Sequence, residues 1–172
     1  MKKLDLGGVT QYDVVQLQTE LLRLDNTLAE PTTIALCGSA SVLLQHFDFR
    51  KTMGVDFCRL PDSNVMLLIE QLWRGNHFFD TKAAGIVGLF DDYEDRLVNV
   101  DIGARYLKVQ CLSTRDCIVS KLASPKLDDV MNHPGVHLED LLWVKEDFHK
   151  YCGVAWIRAE SELDVLIKEF KQ

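Results

Sequence analysis

Ile34-Ala35-Leu36-Cys37-Gly38-Ser39, followed downstream by Arg50-Lys51-Thr52-Met53-Gly54-Val55-Asp56-Phe57, is the stretch on which the reading of this chain turns. Thr32 to Leu36 is a β-branched and apolar run that stops at Gly38, and Ser39 to Phe47 then has helical character, with Ser39 placed to cap it. The pattern is strand, tight turn, helix. Thr52 to Leu60 reads as the next strand. Inside it Asp56 lies between Val55 and Phe57, and a carboxylate among apolar neighbours is costly unless it is paired, hydrogen-bonded or metal-bound.

Working outward, Val14, Leu17, Leu21, Leu24 and Leu28 recur at spacings of three and four, which predicts an amphipathic helix over Thr10 to Asn26. After the second strand, Pro61 ends the extended run and Asp62 or Ser63 caps a helix faced by Val65, Leu68, Ile69, Leu72 and Trp73, closed by Gly75. Runs over Gly85 to Phe90, Arg96 to Ile102 and Tyr106 to Leu112 predict three antiparallel strands. Ser113-Thr114-Arg115-Asp116 has the form of a capping box opening a helix, and Pro125 starts a short further one. Leu138, Leu141, Leu142, Lys145 and Phe148 define one terminal helix, and Leu163, Leu166, Ile167 and Phe170 another. The expected architecture is α/β (α+β): a mixed sheet with flanking helices, then a helical tail. It forms a single domain over residues 1–172, with its core at about 30–132 and its tail at about 136–172.

The 172 residues are 47% hydrophobic, enough for a sizeable core. With 19 Lys and Arg against 26 Asp and Glu, the net charge of −7 disfavours a broad nucleic-acid-binding surface and leaves room only for a local basic pocket. No apolar run approaches the roughly 20 residues that span a bilayer, so no membrane partner is expected. Met1-Lys2-Lys3-Leu4-Asp5 does not begin a signal peptide, and five cysteines without a Cys-x-x-Cys suit a reducing compartment, so a cytoplasmic location is expected.

The ordered series Gly38-Ser39, Arg50-x-Thr52 and Asp56, continued by Asp101 and by the run Asp116 to Val130, resembles the signature of the nucleotidyltransferase superfamily. Within that superfamily it is similar to bacterial proteins of unknown function related to abortive-infection-type toxins. The resemblance implies a nucleotidyltransferase-like fold, Mg²⁺ or Mn²⁺ as cofactor, a nucleoside triphosphate as partner and nucleotidyl transfer to an unknown acceptor. Carried over by position, Gly38 and Ser39 would cradle phosphate, Asp56 and Asp101 would be the catalytic and metal-holding carboxylates, and Lys121 would face the nucleotide. Arg50 would meet phosphate or substrate charge.

One position departs from the pattern. The family's second strand presents two acidic residues at alternate positions, which point the same way from a strand, and here the first of them is Gly54. Losing one metal ligand costs an otherwise intact enzyme roughly 10²-fold or more in rate. Gly54 therefore argues for reduced or absent activity and keeps a second reading open. In that reading the chain is a catalytically degenerate binding or regulatory protein of a toxin–antitoxin or phage-defence type system, with a protein partner.

Each candidate also has a plainer reading. Ser39 is a common helix cap, and Asp56 could pair with Arg50, Lys51 or Arg59. Asp101, just before Gly103, has the position of a turn residue, and Lys121 that of a solvated helix residue. His133-Pro134-Gly135-Val136-His137 reads as a loop and not as a metal pair, and Asp91-Asp92-Tyr93-Glu94-Asp95 as a solvated loop at a hairpin tip.

Overall fold

The computed structural model of the chain describes residues 10–46, 50–76, 78–80, 88–122, 128–152 and 156–172. The first helix, α1 (Val14–Asp25), begins at Asp13, whose carboxylate accepts from the Gln16 amide at 2.9 Å while the Gln16 side chain accepts from the Asp13 amide at 3.0 Å. This reciprocal box satisfies two amides that a helix start otherwise leaves without partners. Its Leu17, Leu21 and Leu24 recur at spacings that put them on one stripe, and all three are fully buried.

Strand β1 (Thr32–Cys37) follows and is the axis of the fold. Helix α2 (Gly38–Gln45) leaves its C-terminal end, β2 (Val55–Arg59) returns beside it, and α3 (Ser63–Leu72) packs back across the sheet. Asp62 caps α3 by accepting from the Val65 amide at 3.0 Å, and Gly75 follows the helix end with φ 78°. A two-residue strand, β3 (Phe79–Asp80), runs parallel to β2, with Val55 opposite Phe79 and Asp56 opposite Asp80. Strands β4 (Val98–Val100) and β5 (Leu107–Cys111) pair antiparallel, and β5 pairs parallel with β1. The resulting sheet is mixed, in the order β3-β2-β1-β5-β4, with a bulge in β1 between Ala35 and Leu36.

The expected mixed α/β architecture is therefore present, with two corrections of detail. Of the strand expected over Gly85 to Phe90, residues 85–87 lie outside the described residues, and Phe90 makes only an isolated bridge to Tyr151. Short β3, which no periodicity announced, holds the sheet edge beside β2.

Side chains alternate across the strands and divide the core. Ile34, Leu36, Val55, Phe57, Leu107 and Val109 face one way and bury α1, α2 and α3 against the sheet. Ala35, Cys37 and Cys58 belong to a second cluster with Leu89, Leu112 and Cys117. Cys117 lies on α4 (Thr114–Lys121), which Ser113 caps by accepting from the Asp116 amide. Helix α5 (Asp128–Met131) is a single turn, and α6 (Leu138–Glu146) and α7 (Trp156–Glu169) form the tail. Ile118, Val119, Leu141, Val144, Leu163 and Leu166 make a third cluster that joins α4 to those two helices. Helix α4 thus contributes to both the second and third clusters, and it carries Lys121 in its last turn.

Two buried carboxylates that periodicity passes over fix this frame. Asp25 accepts from three successive backbone amides, Arg105 at 3.0 Å and Tyr106 and Leu107 at 2.7 Å, anchoring the end of α1 to the start of β5. Burial works to raise its pKa, but the three N–H donors outweigh it and hold the carboxyl below its ordinary 3.8. Asp116, fully buried, receives Arg96 at 2.8 and 3.1 Å, and the same guanidinium reaches Asp92 at 2.6 Å. The acidic run around Asp92 is therefore not merely a solvated loop, since Arg96 and Lys150 tie it to α4 and to the segment after α6.

Candidate functional site

Gly38 stands where β1 turns into α2, and its backbone explains the residue. Its φ of 66° lies in the left-handed region, where a side chain is disfavoured. An added Cβ would also come within 2.5 Å of Asp56 Oδ2. Helix α2 consequently starts one residue earlier than the sequence suggests, with Cys37 as N-cap and no side chain capping it. Ser39 is not the cap but a residue of the first turn. The amides of this turn keep the positive end of the helix dipole accessible to an anion.

Antiparallel pairing places Asp56 directly opposite Cys37, at the same end of the sheet. Because Val55 and Phe57 point into the first core cluster, Asp56 points to the opposite face, where its carboxylate lies against Gly38. It is half-buried. Gly54 sits in the bend just before β2, tied down by Thr52, whose hydroxyl donates to the Gly54 carbonyl at 2.7 Å. Thr52 is held in turn by an isolated bridge to Tyr12. The Arg50-x-Thr52 sequence therefore shapes the entry to β2, and Gly54 presents no carboxylate there.

Three more candidates converge on this end of the sheet. Arg50 Nη2 donates to Ser39 Oγ at 3.3 Å and to Asp129 at 2.8 Å. Lys121 Nζ, only 18% exposed, lies 3.1 Å from Asp129 Oδ2. It is therefore not a solvated helix residue. Gly38, Ser39, Lys121 and Asp129 line one narrow cleft of about 10 Å³, room for a single water. Val42, Cys117, Ile118, Val130 and Val136 give it an apolar wall, and Ser120 and His133 add polar groups.

Asp101 is not part of this cluster. It follows β4, the far edge strand, three strand positions from β2, and the register sets it toward the opposite end of the sheet from Asp56. At about 4.8 Å per strand and 3.3 Å per residue, the two carboxylates are roughly 20 Å apart, far too distant to share a cation. Asp101 accepts from the Gly103 amide at 2.8 Å, which is the turn role its position before Gly103 suggested.

The sulfur and imidazole groups near the cleft are not poised for chemistry. Burial pushes the thiols of Cys58, Cys111 and Cys117 up to about 11, 12 and 12, and that of Cys37 higher still, so all four are protonated and behave as small core residues. His133 is held down to about 4 by burial and by nearby His46, whose ring meets it edge-on at 5.1 Å. Its Nδ1 accepts from the Gly135 amide at 3.0 Å, while His137 lies at the start of α6 with its own amide bound to Asp140. The two histidines serve separate turns.

Among the described residues, no three His, Cys, Asp or Glu side chains gather to hold a metal ion. A Mg²⁺ ion can be bound by a single carboxylate when substrate phosphates supply further oxygens, and Asp56 fits that requirement. A bridged pair of ions needs a cluster of carboxylates that is not found among the described residues.

Comparison with known proteins places the chain in a family. Residues 13–141 match the family described as nucleotidyltransferase of unknown function (DUF6036), and since the match covers most of the chain, the chain belongs to that family. Neither the curated proteins nor the solved structures contain a significant match. The mixed α/β fold is thus that of a nucleotidyltransferase-like protein. Among the described residues, no helix is long and apolar enough to cross a membrane.

Proposed function

We propose that this chain binds a nucleoside triphosphate together with Mg²⁺ or Mn²⁺ at the Gly38–Ser39 turn, as a nucleotide-binding descendant of the nucleotidyltransferases. The observation that carries this reading is the meeting of Arg50, Ser39 and Lys121 beside a glycine against which Asp56 is packed. Arg50 and Lys121 would receive the phosphate oxygens, the amides at the start of α2 would complete their coordination, and Asp56 would hold the cation that arrives with them. Bound there, the cation would neutralise phosphate charge. Gly54 favours binding without turnover, as expected of a regulatory member of a toxin–antitoxin or phage-defence type system.

A second reading, nucleotidyl transfer to an unknown acceptor, is favoured by one observation. The parallel strand β3 brings Asp80 to the register position across from Asp56. In this reading the β2–β3 edge, and not Gly54 or distant Asp101, would carry the acidic positions beside Asp56.

Titration of the purified chain with each of the four nucleoside triphosphates, with and without Mg²⁺ or Mn²⁺, tests both. Metal-dependent binding that is lost in Asp56→Ala supports the site. Pyrophosphate release on incubation with candidate acceptors supports transfer, and its absence alongside tight binding supports the regulatory role. No binding under any condition refutes both readings.

A further inference from the structure

The geometry points to Asp129 as a built-in competitor for the site: its carboxylate occupies the position of a phosphate group, holding Arg50 and Lys121 until a polyanion displaces it. This rests on the phosphate-binding reading above and adds to it a residue that sets the affinity and the class of ligand.

Three features carry the inference. Arg50, in the segment before β2, and Lys121, at the end of α4, come from distant parts of the chain, yet both reach the one carboxylate, at 2.8 and 3.1 Å. The same Arg50 nitrogen that meets Asp129 also meets Ser39 Oγ at 3.3 Å, so the carboxylate lies beside the first turn of α2, where a phosphate would lie. Finally, with Asp129 in place the cleft lined by Gly38, Ser39 and Lys121 is narrow, about 10 Å³, so a phosphate seated against both cations has to displace that side chain.

Displacement has a structural route. Helix α5 is one turn long, and the adjacent residue Asp128 is exposed, so a modest rotation of this turn moves Asp129 from the cleft toward solvent. An anion offering several charged oxygens can satisfy both cations and the helix amides at once, whereas a single carboxylate or chloride replaces Asp129 without gain. The site is accordingly selective for pyrophosphate-like groups over monoanions.

The probe is sodium pyrophosphate, titrated calorimetrically into the purified full chain, as wild type, Asp129→Asn, Asp129→Ser and Lys121→Met. The expected result is that Asp129→Asn and Asp129→Ser bind pyrophosphate at least tenfold more tightly than wild type, although both melt at a lower temperature without ligand. Lys121→Met binds more weakly. If the two Asp129 variants bind no more tightly than wild type while Lys121→Met still weakens binding, the phosphate site stands and the competitor role of Asp129 is overturned. If no variant binds and Lys121→Met changes nothing, the phosphate-site reading fails as well. A measurement on the wild type alone covers the case in which the variants do not fold. The side-chain carboxyl ¹³C resonance of Asp129 should shift on saturation with pyrophosphate, and an unchanged resonance would overturn the inference.

Discussion

Replacing Gly38 by alanine separates two costs that the structure superimposes at the site. The first is backbone strain: at φ 66° an L residue other than glycine costs about 1–2 kcal/mol. The second is a collision, because the new methyl would come within 2.5 Å of Asp56 Oδ2. Relief requires the Asp56 side chain to leave its rotamer, at about 0.5–1.5 kcal/mol. The sum is roughly 1.5–3.5 kcal/mol, or a fall in Tm of roughly 3–14 °C for a domain of this size. Gly75 provides the control, since its φ of 78° imposes the same backbone strain but nothing lies within 4 Å of its added Cβ. Gly75→Ala should therefore cost about 1–2 kcal/mol, and denaturant melts of both variants isolate the collision as the difference between them. Because that collision moves the one carboxylate assigned to the cation, Gly38→Ala should also lose metal-dependent nucleotide binding while Gly75→Ala keeps it. Equal destabilisation by the two substitutions, with binding intact in both, would refute the close packing of Asp56 on Gly38.

Three further outcomes follow from individual contacts. Asp25→Ala strands the amides of Arg105, Tyr106 and Leu107 and should cost roughly 3–5 kcal/mol in a urea melt. Since the Asp25 carboxyl is held below 3.8 in the folded chain, its contribution is present above that pH and is lost as the pH falls further, so wild type and variant should converge in acid. His133, held near 4 in the fold against an ordinary 6.5, binds its proton more readily in the unfolded chain. Stability should therefore be complete above pH 6.5 and fall by roughly 3 kcal/mol as the pH drops toward 4, and His133→Asn should flatten that part of the profile. Asp101→Ala, far from the cleft, should leave nucleotide binding unchanged within twofold in the same titration that Asp56→Ala abolishes, and a parallel loss would contradict the placement of the two carboxylates.

What the sequence made legible was local. The apolar run to Cys37, the break at Gly38 and the caps Asp62 and Ser113 each act over a few residues, and they mark β1, α2, α3 and α4 within a residue or two of where these elements form. Even there Ser39 misled: the left-handed Gly38 lets the helix begin earlier and so removes Ser39 from the capping position. Alternation around Asp56 identified a carboxylate needing a purpose, and its position beside Gly38 accords with that. Asp101 had the same alternation, but its short-range bond to Gly103 suffices to explain it, and periodicity carries no information on which strand lies next to which. The order β3-β2-β1-β5-β4 is a tertiary fact, and β3 is too short to leave any pattern. The role of Asp129 was equally hidden, because its partner Arg50 is 79 residues away in sequence. The acidic pair Asp128-Asp129 was visible, but nothing local distinguished the half-buried, ion-paired member from the exposed one. For Asp25 the only available signal was a carboxylate at the C-terminal end of a helix, where the dipole disfavours it and a compensating partner is required.

In the proposed reading the phosphate site lies at the Gly38–Ser39 turn between Arg50 and Lys121. The most direct test is amide chemical-shift mapping of the ¹⁵N-labelled chain during titration with a Mg²⁺–nucleoside triphosphate. The largest and saturable shifts should fall on Gly38, Ser39, Asp56, Lys121 and Asp129, with Asp101 and Gly103 unmoved. Shifts centred on the Asp101 turn, or no shifts with any of the four nucleotides, would contradict the claim.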